Sequence, residues 1–255
     1  VRRGLLMAAL LMAWAPGLMA QRGVLAEFSC SRPAEVDEGT AFNVQLACRL
    51  LDGLVIAPGE TFSFFKALEP GQGLFKPGLT IEGGRFTTSV GGGYCQVTTS
   101  LYNAVLQLDL PVVERYNHSL YDPAEAYVAP GLDAAVSHTS HADFKFINAT
   151  PAPLTLSVSC QGTRVDLRLL GSSRRRKHWV TASVVDRRAF SVQRLESSSL
   201  ASGAEHVIRQ GCDGLLVESY VNTLDSQGNT QSRRIARDRY IMVPELVKIG
   251  RGSAE

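Results

Sequence analysis

The first regular pattern along the chain is helical. Phe42, Leu46, Ala47, Leu50 and Leu51 recur at the helical period and stop at Gly53, the residue type that commonly closes a helix, so the spacing predicts a helix from about 40 to 51. Pro58-Gly59 marks a turn, and Thr61-Phe62-Ser63-Phe64 alternates as a short strand. The Gly- and Pro-rich stretch from Gly71 to Gly84 reads as a loop. A second helix is expected to start at Cys95, directly after Gly91-Gly92-Gly93, because Val97, Leu101, Val105 and Leu108 share one face. Pro111 stops it. Strand-like stretches follow over 112–116, 126–128, 134–137, 144–147, 154–160 and 165–170, the last two joined by a hairpin turn at Gln161-Gly162.

Gly171 to Lys177, with Arg174-Arg175-Arg176, has the composition of an exposed connection, and a linker is placed at 172–179. Residues 180–255 then read as a small all-β module of short strands, with Asp213-Gly214 and Gln227-Gly228-Asn229 as turn signals. The expected fold class is α+β: over residues 21–171 a helix with an N-terminal cysteine packs on an antiparallel sheet, and the β module follows.

Composition narrows the role. An apolar fraction of 45% is that of a globular chain, and a net charge of +2 is too mild for a nucleic-acid binder, which shows a concentrated basic face. Arg2 and Arg3 precede an apolar run from Leu5 to Ala15, a Pro16-Gly17 break and the small-residue ending at Ala20. Residues 1–20 therefore read as a signal peptide, and the chain as exported to the extracytoplasmic cell envelope. The apolar run is shorter than the roughly 20 residues that span a bilayer, so membrane contact is expected only through this segment if it stays uncleaved.

Export changes the meaning of the five cysteines, Cys30, Cys48, Cys95, Cys160 and Cys212, because disulfides form in such compartments. Cys30 with Cys48 and Cys160 with Cys212 are candidate pairs, although spacing does not decide pairing; an odd count leaves one thiol over. No paired C-x-x-C spacing occurs, so neither a metal nor another cofactor is expected. His118, His138 and His141 are a weak alternative as zinc ligands, lacking a carboxylate or helical motif.

The leftover thiol with chemical promise is Cys95. The first turn of a helix stabilises a thiolate through unpaired N–H groups and the positive end of the helix dipole. The glycines before it leave room for substrate and permit a backbone path that aims amides at an oxyanion. His118, beyond the helix and the following strand, is the candidate base, and Asp133 the candidate group to orient its ring, with Asp143 a rival. Gly92, Gly93, Tyr94, Gln96 and Thr98 are candidates for substrate binding or the oxyanion site. The competing reading from spacing alone is a buried structural cysteine, a structural histidine and a turn-capping aspartate.

The segments Pro58-Gly59-Glu60-Thr61-Phe62-Ser63-Phe64, Gly91-Gly92-Gly93-Tyr94-Cys95-Gln96-Val97-Thr98-Thr99-Ser100-Leu101-Tyr102-Asn103-Ala104-Val105-Leu106, His118-Ser119, Gly131-Leu132-Asp133-Ala134 and Asp143-Phe144-Lys145-Phe146 resemble, in order, the motifs of the VanW family, whose name comes from a glycopeptide-resistance gene cluster. Departures are small: Tyr94 stands where an aliphatic residue is usual, Thr98-Thr99-Ser100 where Ser-Thr-Thr is commoner, and Ala135 where Thr is common. Some VanW domains are L,D-transpeptidases of peptidoglycan, so the resemblance implies that Cys95 attacks a stem peptide, with His118 and Asp133 assisting. Peptidoglycan stem peptides are the implied partners. The resemblance equally admits a non-catalytic wall-binding protein. The stretch from Val217 through Gly250 resembles a divergent G-five module, and its arginines Arg233, Arg234, Arg237 and Arg239 are candidates to meet anionic wall polymers.

Overall fold

The computed structural model describes residues 23–32, 36–82, 85–172 and 178–251. The expected signal peptide and most of the expected linker lie outside these residues.

The first strand, β1 (Gly23–Ser31), precedes the first helix, α1 (Glu38–Leu51). Asp37 caps α1 by accepting from the amide of Thr40 at 2.9 Å, and Gly53, at φ 79°, leaves it in the left-handed conformation that a glycine takes without strain. Then come β2 (Val55–Ile56), β3 (Thr61–Ser63) and the one-turn helix α2 (Phe64–Leu68). The expected loop from Gly71 to Gly84 is instead a 3-10 segment, Glu69–Leu74, followed by β4 (Pro77–Glu82), which pairs antiparallel with β5 (Arg85–Val90). Composition misled here, because the paired residues between the glycines, Leu79-Thr80-Ile81 and Phe86-Thr87-Thr88, are strand formers.

The second long helix, α3 (Tyr94–Gln107), starts one residue before Cys95. It ends at Leu108, after which Asp109 takes φ 48° and Pro111 prevents continuation. Then follow β6 (Val112–Glu114), β7 (Lys145–Ile147), β8 (Leu154–Gln161) and β9 (Arg164–Gly171). The expected strand at 126–128 is absent, and 134–137 makes only isolated bridges, Ala135 to Tyr116 and Ser137 to Ala142. The cause is visible at Ala134, whose amide donates to Thr99 Oγ1 (2.9 Å) and whose carbonyl accepts from Thr98 Oγ1 (2.7 Å). Side chains of α3 satisfy the groups that a neighbouring strand would otherwise bind.

The sheet β1-β9-β8-β2 carries both long helices on one face. Period-two alternation sends Val165, Leu167 and Leu169 of β9 and Leu154, Leu156 and Val158 of β8 inward against α1 and α3. Truncating one of them, Leu156→Ala, is expected to cost about 2–5 kcal/mol through lost burial and the cavity left behind. A smaller sheet, β3-β7-β6, closes the core at the other end, with Phe62 and Phe146 paired across strands at 5.1 Å between ring centroids.

The C-terminal part, among the described residues, is built of strands: β10 (Trp179–Arg188), β11 (Val192–Ser197), β12 (Glu205–Arg209), β13 (Gly214–Leu224), β14 (Thr230–Tyr240) and β15 (Glu245–Gly250). They form the sheets β10-β13-β14 and β11-β15-β12, with β11 and β15 parallel. The first sheet lies against the helical part: Val221 of β13 joins the main core, and Ser219 Oγ donates to the carbonyl of Gly131 at 2.9 Å. Gly131, at φ 88°, admits this approach because a Cβ there would come within 2.5 Å of Ser219 Oγ. Three of the four arginines named from the sequence make ion pairs on the protein itself, Arg233 with Asp109, and Arg234 and Arg237 with Glu218.

The five cysteines are unpaired. Cys48 on α1 hydrogen-bonds to Cys160 on β8, whereas Cys212 sits apart with Leu120 and Val243. Neither pairing considered from the sequence is present.

Candidate active site

Cys95 is the second residue of α3. Its thiol donates to the carbonyl of Val136 at 3.6 Å and is in hydrogen-bonding contact with His118. It is partly exposed, and it opens into a cavity of about 870 Å³. One wall of the cavity is the hairpin of β4 and β5, through Leu79, Ile81 and Phe86; the other is the loop that carries Tyr116, Tyr121 and Tyr127.

His118 follows β6 on the stretch that bridges Tyr116 to Ala135. Asp133 holds it at two points, because one oxygen, Oδ2, accepts from the His118 amide at 2.7 Å and from ring Nδ1 at 2.6 Å. With Nδ1 engaged by the carboxylate, Nε2 is the nitrogen left for the thiol. Tyr127 sets its ring edge-on to the imidazole, at 6.5 Å and 81°.

Asp133 is itself clamped from three directions. The α3 side chain Asn103 donates to the carbonyl of Leu132 at 2.8 Å, next to the bonds from Thr98 and Thr99 to Ala134. Arg115 donates to the Asp133 carbonyl through Nε at 2.7 Å and reaches its Oδ1 at 3.3 Å, while its Nη1 binds both oxygens of Asp238 at 2.6 Å. Tyr240 donates to Asp133 Oδ1 at 2.5 Å and accepts from the amide of Gly131 at 2.6 Å. Asp238 and Tyr240 both come from β14, so a C-terminal strand completes the support of the carboxylate.

The electrostatics follow from this packing. Burial is the largest influence on the Cys95 thiol and opposes ionisation, but the charge and hydrogen bond of His118, with the contact to Val136, outweigh it and lower the pKa. Burial alone would keep His118 neutral; the charge of Cys95 and the bond to Asp133 reverse that and carry its pKa up to about 10. Burial would raise Asp133, but His118, Arg115 and Tyr240 hold its carboxyl well below the usual carboxylate range. Together they favour a thiolate–imidazolium pair beside a fixed carboxylate.

The other residues named from the sequence separate into groups. Asp143 lies elsewhere: it accepts from Ser63 Oγ (2.6 Å) and from the amides of Phe65 and Phe144, tying down α2. Gln96 Nε2 donates to the carbonyls of Thr163 and Cys30, and Thr98 Oγ1 to those of Ala134 and Cys95, so both side chains serve internal bonds. Tyr94 is packed edge-on against Phe64, Phe65 and Phe75. Gly92 passes so close to Gly78 that a Cβ would lie 2.1 Å from its carbonyl, and Gly93, at φ 106°, caps α3. The amides of Gly92, Tyr94 and Gln96 are bound to Ser89, Gly91 and Gly93 carbonyls, whereas those of Gly93 and Cys95 make no such bond among the described residues. No group of three or more His, Cys, Asp or Glu among the described residues is arranged to hold a metal. His138 instead stacks on Phe65 at 3.8 Å.

The family model described as VanW like protein matches residues 39–170, about half of the chain, a stretch that holds Cys95, His118 and Asp133 but not Asp238 or Tyr240. The chain belongs to the VanW family. It is 34% identical over 138 residues to the Uncharacterized protein YoaR of Bacillus subtilis, covering 53% of this chain and 44% of that one. It is 33% identical over 132 residues to the Vancomycin B-type resistance protein VanW of Enterococcus faecalis, covering 50% of this chain and 48% of that one. The chain thus spans about half the length of the curated relatives it matches. Among solved structures, a G5 domain of IgA1 protease aligns over 31% of the chain at 18% identity and a TM-score of 0.21, and HP0197-G5 over 29% at 13% and 0.18. Among the described residues no helix is long and apolar enough to cross a membrane.

Arg115, Tyr127, Asp238 and Tyr240 did not emerge from the sequence. One signal was available for the setting of the site: no charged residue occurs between Arg85 and Asp109, so α3 has no face suited to water, and its polar residues must bond within the protein.

Proposed function

We propose that this VanW-family chain is an exported thiol acyltransferase of the cell envelope, acting on peptidoglycan stem peptides in the manner of an L,D-transpeptidase. The observation that carries the reading is the contact between the Cys95 thiol and an imidazole whose other nitrogen is bound to Asp133, at the edge of a cavity of about 870 Å³. The thiolate attacks the carbonyl that joins an L-centre to a D-residue, and the amides of Gly93 and Cys95 are the donors available to the oxyanion. His118, already protonated, gives its proton to the departing amine as the thioester forms. An amine from a neighbouring stem then resolves the thioester to a cross-link; water in its place gives carboxypeptidase activity.

The test is mass spectrometry of the protein incubated with a stem tetrapeptide. A thioester on Cys95, lost in Cys95→Ala with the fold retained, is the expected result. Peptide binding without any adduct or released D-amino acid overturns the enzymatic reading and leaves a wall-binding protein.

A further inference from the structure

Arg32, just after β1, lines the same cavity as Cys95 but plays no part in the triad. Its side chain is 9% exposed, and its ion pair with Glu125, through Nη2 at 3.3 Å, is long and single-pronged. Its Nε is buried and has no hydrogen-bond partner among the described residues. A guanidinium normally presents Nε–H and an Nη–H side by side as a fork for one carboxylate. Here the fork is half used, and Glu125, at 32% exposure, is the only carboxylate engaged with it among the described residues. Burying a cationic donor unpaired is unfavourable unless something in the functioning protein meets it.

We propose that Arg32 is the specificity-determining residue that receives a carboxylate of the peptide whose acyl group Cys95 attacks. The proposal rests on the acyl-transfer reading above and sharpens it: the scissile bond lies next to a free carboxy terminus, so the leaving group is a single terminal amino acid. In that step the thiolate sulfur bonds the acyl carbon, the C–N bond breaks, and the amine leaves with the proton of His118; the carboxylate on Arg32 departs with it. Placement within the cavity is consistent, since Arg32, Tyr127 and Cys95 all line it. The neighbouring apolar wall, Ile81 and Phe86, suits the non-ionic part of such a peptide.

The experiment compares diacetyl-L-lysyl-D-alanine, whose only charge is its terminal carboxylate, with its carboxamide. Binding is measured by calorimetry on Cys95→Ala, and adduct formation by intact mass on the unaltered chain. The carboxylate form is expected to bind at least about tenfold more tightly, as a charge-assisted bond warrants. Arg32→Gln in the Cys95→Ala background should abolish the difference and Arg32→Lys restore part of it, with melting temperatures unchanged. Equal binding of the two peptides, no binding of either, or discrimination that survives Arg32→Gln overturns the proposal. Adducts formed equally from both peptides retain the thiol mechanism and reject the Arg32 site. Arg32-dependent binding without any adduct does the reverse.

Discussion

Tyr240, near the C-terminal end of the described chain, donates its hydroxyl to the carboxylate of Asp133, which in turn grips the ring and the amide of His118. Burial is the main reason the phenol is held far above its ordinary pKa, so it stays neutral and remains a donor throughout the working range. Tyr240→Phe keeps the ring and removes the bonds to Asp133 and Gly131. The expected outcome is a loss of about 1–3 kcal/mol in stability, with the acid limb of Cys95 alkylation moved to higher pH because Asp133 loses a group that favours its charge. An unaltered acid limb together with an unaltered urea midpoint would mean that the C-terminal strand merely rests against the site.

The thiolate itself is directly measurable. Because His118 lowers the Cys95 pKa against the effect of burial, iodoacetamide should modify Cys95 at pH values below the usual thiol range. In His118→Asn the contact to Val136 alone is left to oppose burial, and the rate at neutral pH should fall markedly. Equal rates for the two proteins would remove the ion pair from the mechanism.

Stability should report the same pair, with a definite sign. His118 has a folded pKa raised to about 10, so its contribution is full below its unfolded value of about 6.5 and is lost as pH rises through about 10. Cys95 has a lowered folded pKa, so its contribution is present above the unfolded thiol value of about 8.5 and fades as pH falls. Over the interval between, the two slopes oppose each other; above it only the His118 slope of this pair remains, adding to that of the buried thiols Cys30, Cys48 and Cys212, and urea midpoints should fall between pH 9 and 11. Since the charge of Cys95 is the foremost influence raising His118, this alkaline loss should begin at lower pH in Cys95→Ala. Midpoints that climb across that range contradict the assignment.

The legible part of the site was the part fixed by local pattern. Cys95 after three glycines, a strand leading toward His118, and a turn at Gly131 before Asp133 were all readable, because each depends on neighbours in sequence. What resisted was whatever depends on long-range pairing. The β4–β5 hairpin was hidden by its flanking glycines, and 134–137 looked like a strand although α3 side chains take the place of its ladder. The choice between Asp133 and Asp143 needed the fold, since only the geometry shows Asp143 bound to Ser63 and Phe65. Arg115 and Asp238 are charged residues that spacing assigns to a surface; their mutual burial is a product of β14 docking.

That buried pair yields a prediction about the junction. Arg115 Nη1 bridges both oxygens of Asp238, and burial raises the Asp238 pKa despite the arginine. Replacing only the arginine, Arg115→Met, strands the carboxylate and removes the donors to the Asp133 carbonyl, for an expected loss of about 3–5 kcal/mol. Adding Asp238→Asn removes the stranded charge, so the double variant should recover part of that loss in thermal or urea unfolding. If the two substitutions prove additive, the pair is not coupled and the junction relies on Val221 and Ser219 instead.

The cysteines give a last prediction. Cys48 and Cys160 share a hydrogen bond, which raises the Cys48 thiol far above its ordinary range and lowers Cys160. Cys160, partly exposed, is thus the better nucleophile of the two toward a disulfide reagent such as glutathione disulfide. Its sulfur forms a mixed disulfide first; the Cys48 thiol then loses its proton and displaces glutathione, closing a bond between α1 and β8. Such a long loop should stabilise the chain by up to about 5 kcal/mol through the entropy it removes from the unfolded state. Peptide mapping after oxidation should therefore find Cys48 joined to Cys160, with Cys95 still open to alkylation. A Cys30–Cys48 or Cys160–Cys212 link as the main product would require α1 or the C-terminal strands to move from their places against the sheet, and would refute the packing described for them.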